Sequence, residues 1–239
     1  MAGGASLKIK IAVPHVIKLP FQARWTIGLV LLGGCAWIML RSACAGLSDF
    51  DVLQAEHLVK LRIEQKQPLD IDTLESASVL LESAVAWNRD NGAAHQNLAL
   101  VHGMRLALPL RGLVERDEHL NAGLGAALKA ISLRPTSGFA YSVYAMAKQM
   151  RGDRDATFRQ ALARAAKYGP WEPGVQSNII DVGLRAWDVL DEPTRDVVRH
   201  TITRALQTQP EETQAFLQAR KTLLPRCEDL RVHIAGLCA

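Results

Sequence analysis

Sixteen consecutive residues from Trp25 to Leu40, WTIGLVLLGGCAWIML, carry no formal charge, and after a lone Arg41 the segment SACAGL extends the apolar run to Leu47. As a helix, residues 25–47 would span ~34 Å at ~1.5 Å per residue, enough for a hydrocarbon core of roughly 30 Å. Arg41 lies near one end, where a long side chain can snorkel to the head groups. Trp25 sits at an interface position, where indoles are favoured, and Trp37 lies deeper as an apolar residue. The segment therefore divides the chain into a basic tail (1–24), a transmembrane helix (25–47), a helical domain (48–226) and a C-terminal tail (227–239).

The flanks set an orientation. Lys8, Lys10, Lys18 and Arg24 precede the helix with no acid among them, whereas Asp49, Asp51 and Glu56 follow it. The positive-inside rule places the N-terminus in the cytoplasm and the domain outside. In a bacterium this predicts a single-pass inner-membrane protein with a periplasmic domain. The tail mixes bases with apolar residues and can rest on anionic lipid, but Pro14 and Pro20 prevent it from forming one continuous helix. Ala43-Cys44-Ala45 also fits a signal-peptidase site, and cleavage after Ala45 would turn the anchor into a signal peptide. The long basic flank and the length of the apolar stretch favour the anchor. Leu32-Gly33-Gly34-Cys35 loosely matches a lipoprotein box, yet apolar AWIML follows the cysteine where a mature lipoprotein turns polar.

The same four basic residues account for the net charge of +4 and the pI near 9.0, so the rest of the chain is balanced. A balanced domain lacks the basic stripe that nucleic-acid binding requires, and no nucleic-acid partner is expected. With 5% aromatic residues and abundant alanine and leucine, the domain suits packed helices better than a β-sandwich.

Turn signals recur at Arg89–Gly92, Pro135, Pro170 and Pro210. Before three of them stands the same set of small or apolar residues at i, i+4 and i+7. The sets are Ala77, Leu81 and Ala84; Gly123, Ala127 and Ala130; and Val198, Ile202 and Ala205. Each lines one helical face. The stretch AALKAISLRP (Ala126–Pro135) resembles the second helix of a tetratricopeptide repeat, and ESAVAWNRDNGAAHQNLALVH resembles the junction between two repeats. In that register Leu98 and Ala99 take the family's Leu and small-residue positions, while His95 and His102 stand where aromatics are usual. Gly152-Asp153 falls at an inter-helix turn. The resemblance covers about residues 50–225 as roughly four degenerate repeats. It implies an all-α fold: the transmembrane helix followed by a TPR-like α-solenoid of antiparallel helix pairs. The segment PLRGLVERDEH (Pro109–His119) departs from the pattern and is read as an inserted loop. GPWEP (Gly169–Pro173), the later Trp187 and the short anchor together resemble accessory proteins of bacterial exopolysaccharide-biosynthesis clusters.

No nucleophile elbow, zincin motif, P-loop or dinucleotide fingerprint occurs, so no cofactor or metal is expected and the chain is read as non-catalytic. Gly123-Leu124-Gly125 reads as a close helix contact. His95 and His102 share a helical face and His119 follows; with Glu115 or Glu118 they could hold a metal, but packing is the favoured role. Trp87, Trp171 and Trp187 are expected as core anchors. Cys35 and Cys44 serve as apolar fillers, and Cys227 and Cys238 are a candidate disulfide if the tail is periplasmic.

The charged residues of the insertion, Arg111, Glu115, Arg116, Asp117 and Glu118, are the partner-binding candidates, because inserted loops project from one face of a helical stack. The expected function is a tethered scaffold for protein partners in the inner membrane or periplasm, with no evident small-molecule substrate. The setting is cell-envelope or exopolysaccharide biosynthesis or export. Two alternatives are a glycan-processing enzyme or subunit, with Asp181 and Asp188 as its acids, and a small-ligand-binding domain.

Overall fold

The computed structural model describes residues 21–65, 67–110, 112–225 and 227–230. Among them it is all-helical, without strands. The first helix, α1 (Phe21–Glu64), runs well past Leu47. Its apolar part has a mean hydropathy of 1.8 with none of its residues buried. Among the described residues this is one helix long and apolar enough to cross a membrane, which fits a single-pass membrane association. Contacts divide the chain into two units, residues 1–43 and 44–239. The basic tail up to residue 20 lies outside the described residues.

The second unit begins with the latter part of α1 and continues through α2 (Ile71–Trp87), α3 (Gly92–Arg105), α4 (Leu113–Leu133), α5 (Gly138–Arg151) and α6 (Ala156–Tyr168). It then adds α7 (Pro173–Arg185), a 3-10 turn (Trp187–Val189), α8 (Glu192–Thr208), α9 (Pro210–Gln218), a second 3-10 turn (Lys221–Leu223) and α10 (Cys227–Leu230). Helix starts are specified locally. Asp70, Asn91, Ser137, Asp155 and Asp191 each accept a hydrogen bond from a backbone N–H of the first turn that follows. Each such cap contributes about 1 kcal/mol. Pro173 and Pro210 begin α7 and α9, where a missing N–H costs nothing.

The turn signals fall where the repeat pattern placed them. Pro135, Pro170 and Pro210 follow the ends of α4, α6 and α8 at the same offset, and Arg89 follows α2 likewise. Gly152 ends α5 at φ 87°, the left-handed conformation that a side chain resists.

Packing follows the i, i+4, i+7 sets. Ala77, Leu81 and Ala84 on α2, Gly123, Ala127 and Ala130 on α4, and Val198, Ile202 and Ala205 on α8 are all buried. The same spacing occurs on α6 as Phe158, Leu162 and Ala165. Consecutive helices from α2 to α9 pack on one another, and alternate helices also touch, α3 with α5 and α5 with α7. Small residues permit these approaches. A Cβ at Gly138 would overlap the backbone of Gly169, so α5 meets the α6–α7 turn this closely only because Gly138 has no side chain.

Three apolar clusters fill the interior among the described residues, a small one of Ala99, Ala127 and Val143 between α3, α4 and α5 and two larger ones. One gathers Val52 and Ala55 of α1 with Leu74, Ala77 and Leu81 of α2 and Ala94, Leu98 and Val101 of α3. The other joins α5 to α10 around Phe158, Ile179, Ile180, Trp187, Ile202 and Leu217. Burying a side chain such as Leu or Phe contributes about 1.5–3 kcal/mol. Polar side chains complete the cluster of α1, α2 and α3. The Ser48 hydroxyl donates to the Ala84 carbonyl at 2.7 Å, and the Asn91 amide donates to Ser48 at 2.8 Å and to Asp49 at 2.9 Å. The Asn97 amide donates to Glu56 at 2.7 Å. Together they fix the latter part of α1 against α2 and α3.

The three tryptophans do not share one role. Trp187 is buried, with Arg195 and Arg199 over its ring at 5.6 and 5.3 Å. Trp87 and Trp171 are exposed instead of being core anchors. Both stand where a helix ends and the chain turns, outside the apolar clusters.

Candidate functional site

The odd-numbered helices converge on a groove of about 560 Å³. Leu100, Gly103 and Met104 of α3, Met146, Gln149 and Met150 of α5, and Ser177, Asn178, Asp181, Val182 and Arg185 of α7 line it. Phe216 of α9 and the following Arg220 close one side, and Arg116 of α4 reaches in from the other. On each helix the lining residues recur three or four positions apart, so they form one stripe. Leu100 and Met104 also line a neighbouring apolar groove of about 250 Å³, shared with Ala55, Val59 and Ile63 of α1.

The floor is soft and apolar. Methionine side chains adapt to irregular partners because they are unbranched and polarizable. Charge is arranged at the edges. The Asp181 carboxylate accepts from Arg185 Nε at 2.8 Å and also from Arg220 Nε. Burial pushes the Asp181 carboxyl up, but the hydrogen bonds from Arg185 and Arg220 outweigh it and hold the group below its ordinary value. Arg220 also lies 3.5 Å from the centre of the Phe216 ring. Arg116 donates to the Met150 carbonyl at 3.3 Å. One carboxylate and three guanidinium groups thus line the groove, which leaves it basic.

The insertion of the repeat pattern is helical from Leu113 onward and forms the first turns of α4, not a loop. The reason is partly electrostatic. Buried Arg105 at the end of α3 donates to Glu115 Oε1 at 2.6 Å and to the Pro109 carbonyl at 3.0 Å, which fastens α4 to α3. Of the five charged candidates, Arg116 reaches the groove, Glu115 is held by Arg105, and Asp117 and Glu118 are exposed on the same turns. Arg111 lies outside the described residues.

His102 and His119 do approach each other. Their Nδ1 atoms are 3.1 Å apart and hydrogen-bonded, with Glu115 Oε1 3.9 Å from His119 Nε2. Burial, and secondarily the neighbouring His119, lowers the His102 pKa to about 4. Glu115 faces the far nitrogen of His119, and among the described residues no group of three or more His, Cys, Asp or Glu converges as a metal site. His95 turns outward to the Arg89 carbonyl at 3.0 Å. Gly123 is buried against the Cβ of His102, whereas Gly125 faces open space, so only the first glycine makes the expected close contact.

Asp181 is engaged by two arginines in the groove, and Asp188 is exposed on the 3-10 turn after α7. Cys35 and Cys44 are free thiols. The Cys227–Cys238 pairing lies outside the described residues.

Met104, Met146, Met150, Phe216, Arg185 and Arg220 escaped the sequence reading. Their signal was present as i, i+3, i+4 and i+7 spacings on alternate helices, such as Met146, Gln149 and Met150, but these sets do not repeat between helices. No protein-family model matches the chain, and no curated protein does.

Proposed function

We propose that the chain is a membrane-anchored, non-catalytic scaffold that holds a segment of a protein partner in the groove of α3, α5, α7 and α9. The observation that carries this reading is the composition of the groove: Met104, Met146, Met150 and Phe216 on the floor, with Arg116, Arg185 and Arg220 at the edges. Such a surface offers adaptable apolar contact with a few fixed charges, which suits a helix or extended peptide. The alternation of helices and the turn prolines support a TPR-like stack of antiparallel pairs, in which one set of helices packs and the other presents a binding face.

The long apolar helix near the N-terminus supports tethering, and tethering raises the effective concentration of the groove for other membrane components. With four basic residues before the helix and acids after it, the favoured arrangement is a bacterial inner-membrane protein with a cytoplasmic N-terminus and a periplasmic domain. Cell-envelope or exopolysaccharide biosynthesis or export is the proposed setting. A C-terminal reporter active only in the periplasm tests the topology. For the scaffold, mild crosslinking in membranes followed by detergent purification should yield a covalent adduct with the native chain. The Met146→Glu/Met150→Glu variant should lose it. Recovery of the native protein alone would count against the reading.

A further inference from the structure

The helical unit carries a second surface, unrelated to the groove. Its turns between α2 and α3, α4 and α5, and α6 and α7 form one continuous edge. Ser137 at the second turn donates to Gln96 near the start of α3 at 2.9 Å. Gly138 abuts Gly169 of the third turn. Arg204 of α8 donates to the Pro170 carbonyl at 3.3 Å. The chain joins the unit at this same edge, because Ser48 is bonded to Ala84 and Asn91.

Two tryptophans stand on this edge where packing does not require them. Trp87 ends α2 and is 47% exposed, and Trp171 in the third turn is 61% exposed. Arg204 lies 5.0 Å from the centre of the Trp171 ring, on one face of the indole. The exposed charges of these turns, their flanks and the joining segment include Arg89, Lys129, Arg134 and Lys167 against Asp49, Asp90 and Glu172. Lys129 pairs with Asp90 at 3.7 Å. With Arg204 the balance is basic. Leu47 and Phe50, beside the point where the chain joins, are exposed as well. Exposed indoles flanked by arginine and lysine are the side chains that lipid head groups accommodate.

We propose that this edge of turns rests on the lipid surface, with Trp87 and Trp171 in the head-group layer and the neighbouring bases on anionic lipid phosphates. The proposal rests on residues 25–47 spanning the bilayer. Since that segment ends at Leu47 and Ser48 is fixed to the α2–α3 turn, the first of the three turns lies beside the membrane surface. The edge then serves as a second attachment that limits how the groove is presented to its partner. Glu211 and Glu212 open α9, so the attachment is confined to the first three turns.

The test uses the full chain in vesicles of phosphatidylethanolamine and phosphatidylglycerol, with bromine placed either near the head groups or deep in the acyl chains. Trp187 is kept throughout, and Trp25, Trp37, Trp87 and Trp171 are replaced by Phe so that one of the four remains at a time. Trp87 and Trp171 should each lose roughly half of their emission with shallow bromine and little with deep bromine, as expected of interfacial indoles. Quenching of Trp25 or Trp37 without any effect on Trp87 and Trp171 overturns the proposal while leaving the anchor intact, and frees the edge for a protein partner. No quenching of any of the four means that the anchor itself fails. If the Phe variants do not fold, hydroxyl-radical modification of the unaltered chain gives a second reading. Trp87 and Trp171 should be protected in vesicles and exposed once a short-chain detergent dissolves them; equal modification in both overturns the proposal.

Discussion

The even-numbered and odd-numbered helices of the domain use the same kinds of residue for different ends. Helices α2, α4, α6 and α8 repeat a buried set at i, i+4 and i+7, and in all four the set faces the interior. Helices α3 and α7 carry a buried set of the same spacing as well (Ala94, Leu98 and Val101; Val175, Ile179 and Val182), but α3, α5 and α7 add a second stripe that lines a groove and differs from helix to helix, with Phe216 of α9 at its side. A packing surface has to fit its neighbour at each step, so it repeats. A surface that meets another molecule has no such constraint, and its residues diverge.

Breaking the packing set should have the largest effect. Phe158→Ala removes a fully buried ring and should cost about 3–5 kcal/mol. Urea denaturation checks it, and a loss within the range of surface substitutions would mean that α6 does not carry the core. A middle-sized effect is expected at the seam with α1. Asn91→Ala removes the cap of α3 and both bonds to the latter part of α1, a loss of about 1–3 kcal/mol.

Comparable in size is the pH response of the α3–α4 seam. His102 binds its proton less readily folded than unfolded, so the unfolded chain takes up more protons between its ordinary value of 6.5 and about 4. The contribution of neutral His102 is complete above 6.5 and is lost as pH falls towards 4. Urea midpoints across this window should drop for the native chain and flatten for His102→Gln. Loss of the Asp70, Asp181 and Asp191 contributions follows at lower pH, because their carboxyls are held below the ordinary 3.8. The smallest change in stability should come from the groove. Met150→Glu should stay within about 0.5 kcal/mol of the native chain, since the residue lines a surface rather than a core.

How much the sequence revealed follows the same division. The apolar segment, the turn positions and the buried sets of α2, α4 and α8 could be read from it, because length, proline and periodicity are local signals. The fate of Pro109–His119 could not. That stretch is helical from Leu113 and fastened by Glu115 to Arg105, an ion pair visible only once α3 and α4 lie together. Trp87 and Trp171 were misjudged for a related reason: an indole reads as core by composition, yet its position at a helix end decides its exposure. The groove was hidden because Arg185 at the end of α7 and Arg220 after α9 are far apart in the chain and meet only at Asp181.

A photo-crosslinking amino acid placed either at Met150 in the groove or at exposed Leu128 on α4 tests the scaffold most directly. Illumination of intact membranes should give an adduct with a discrete protein from Met150 and none from Leu128. No adduct from Met150, or the same adducts from both positions, would contradict a partner-binding groove.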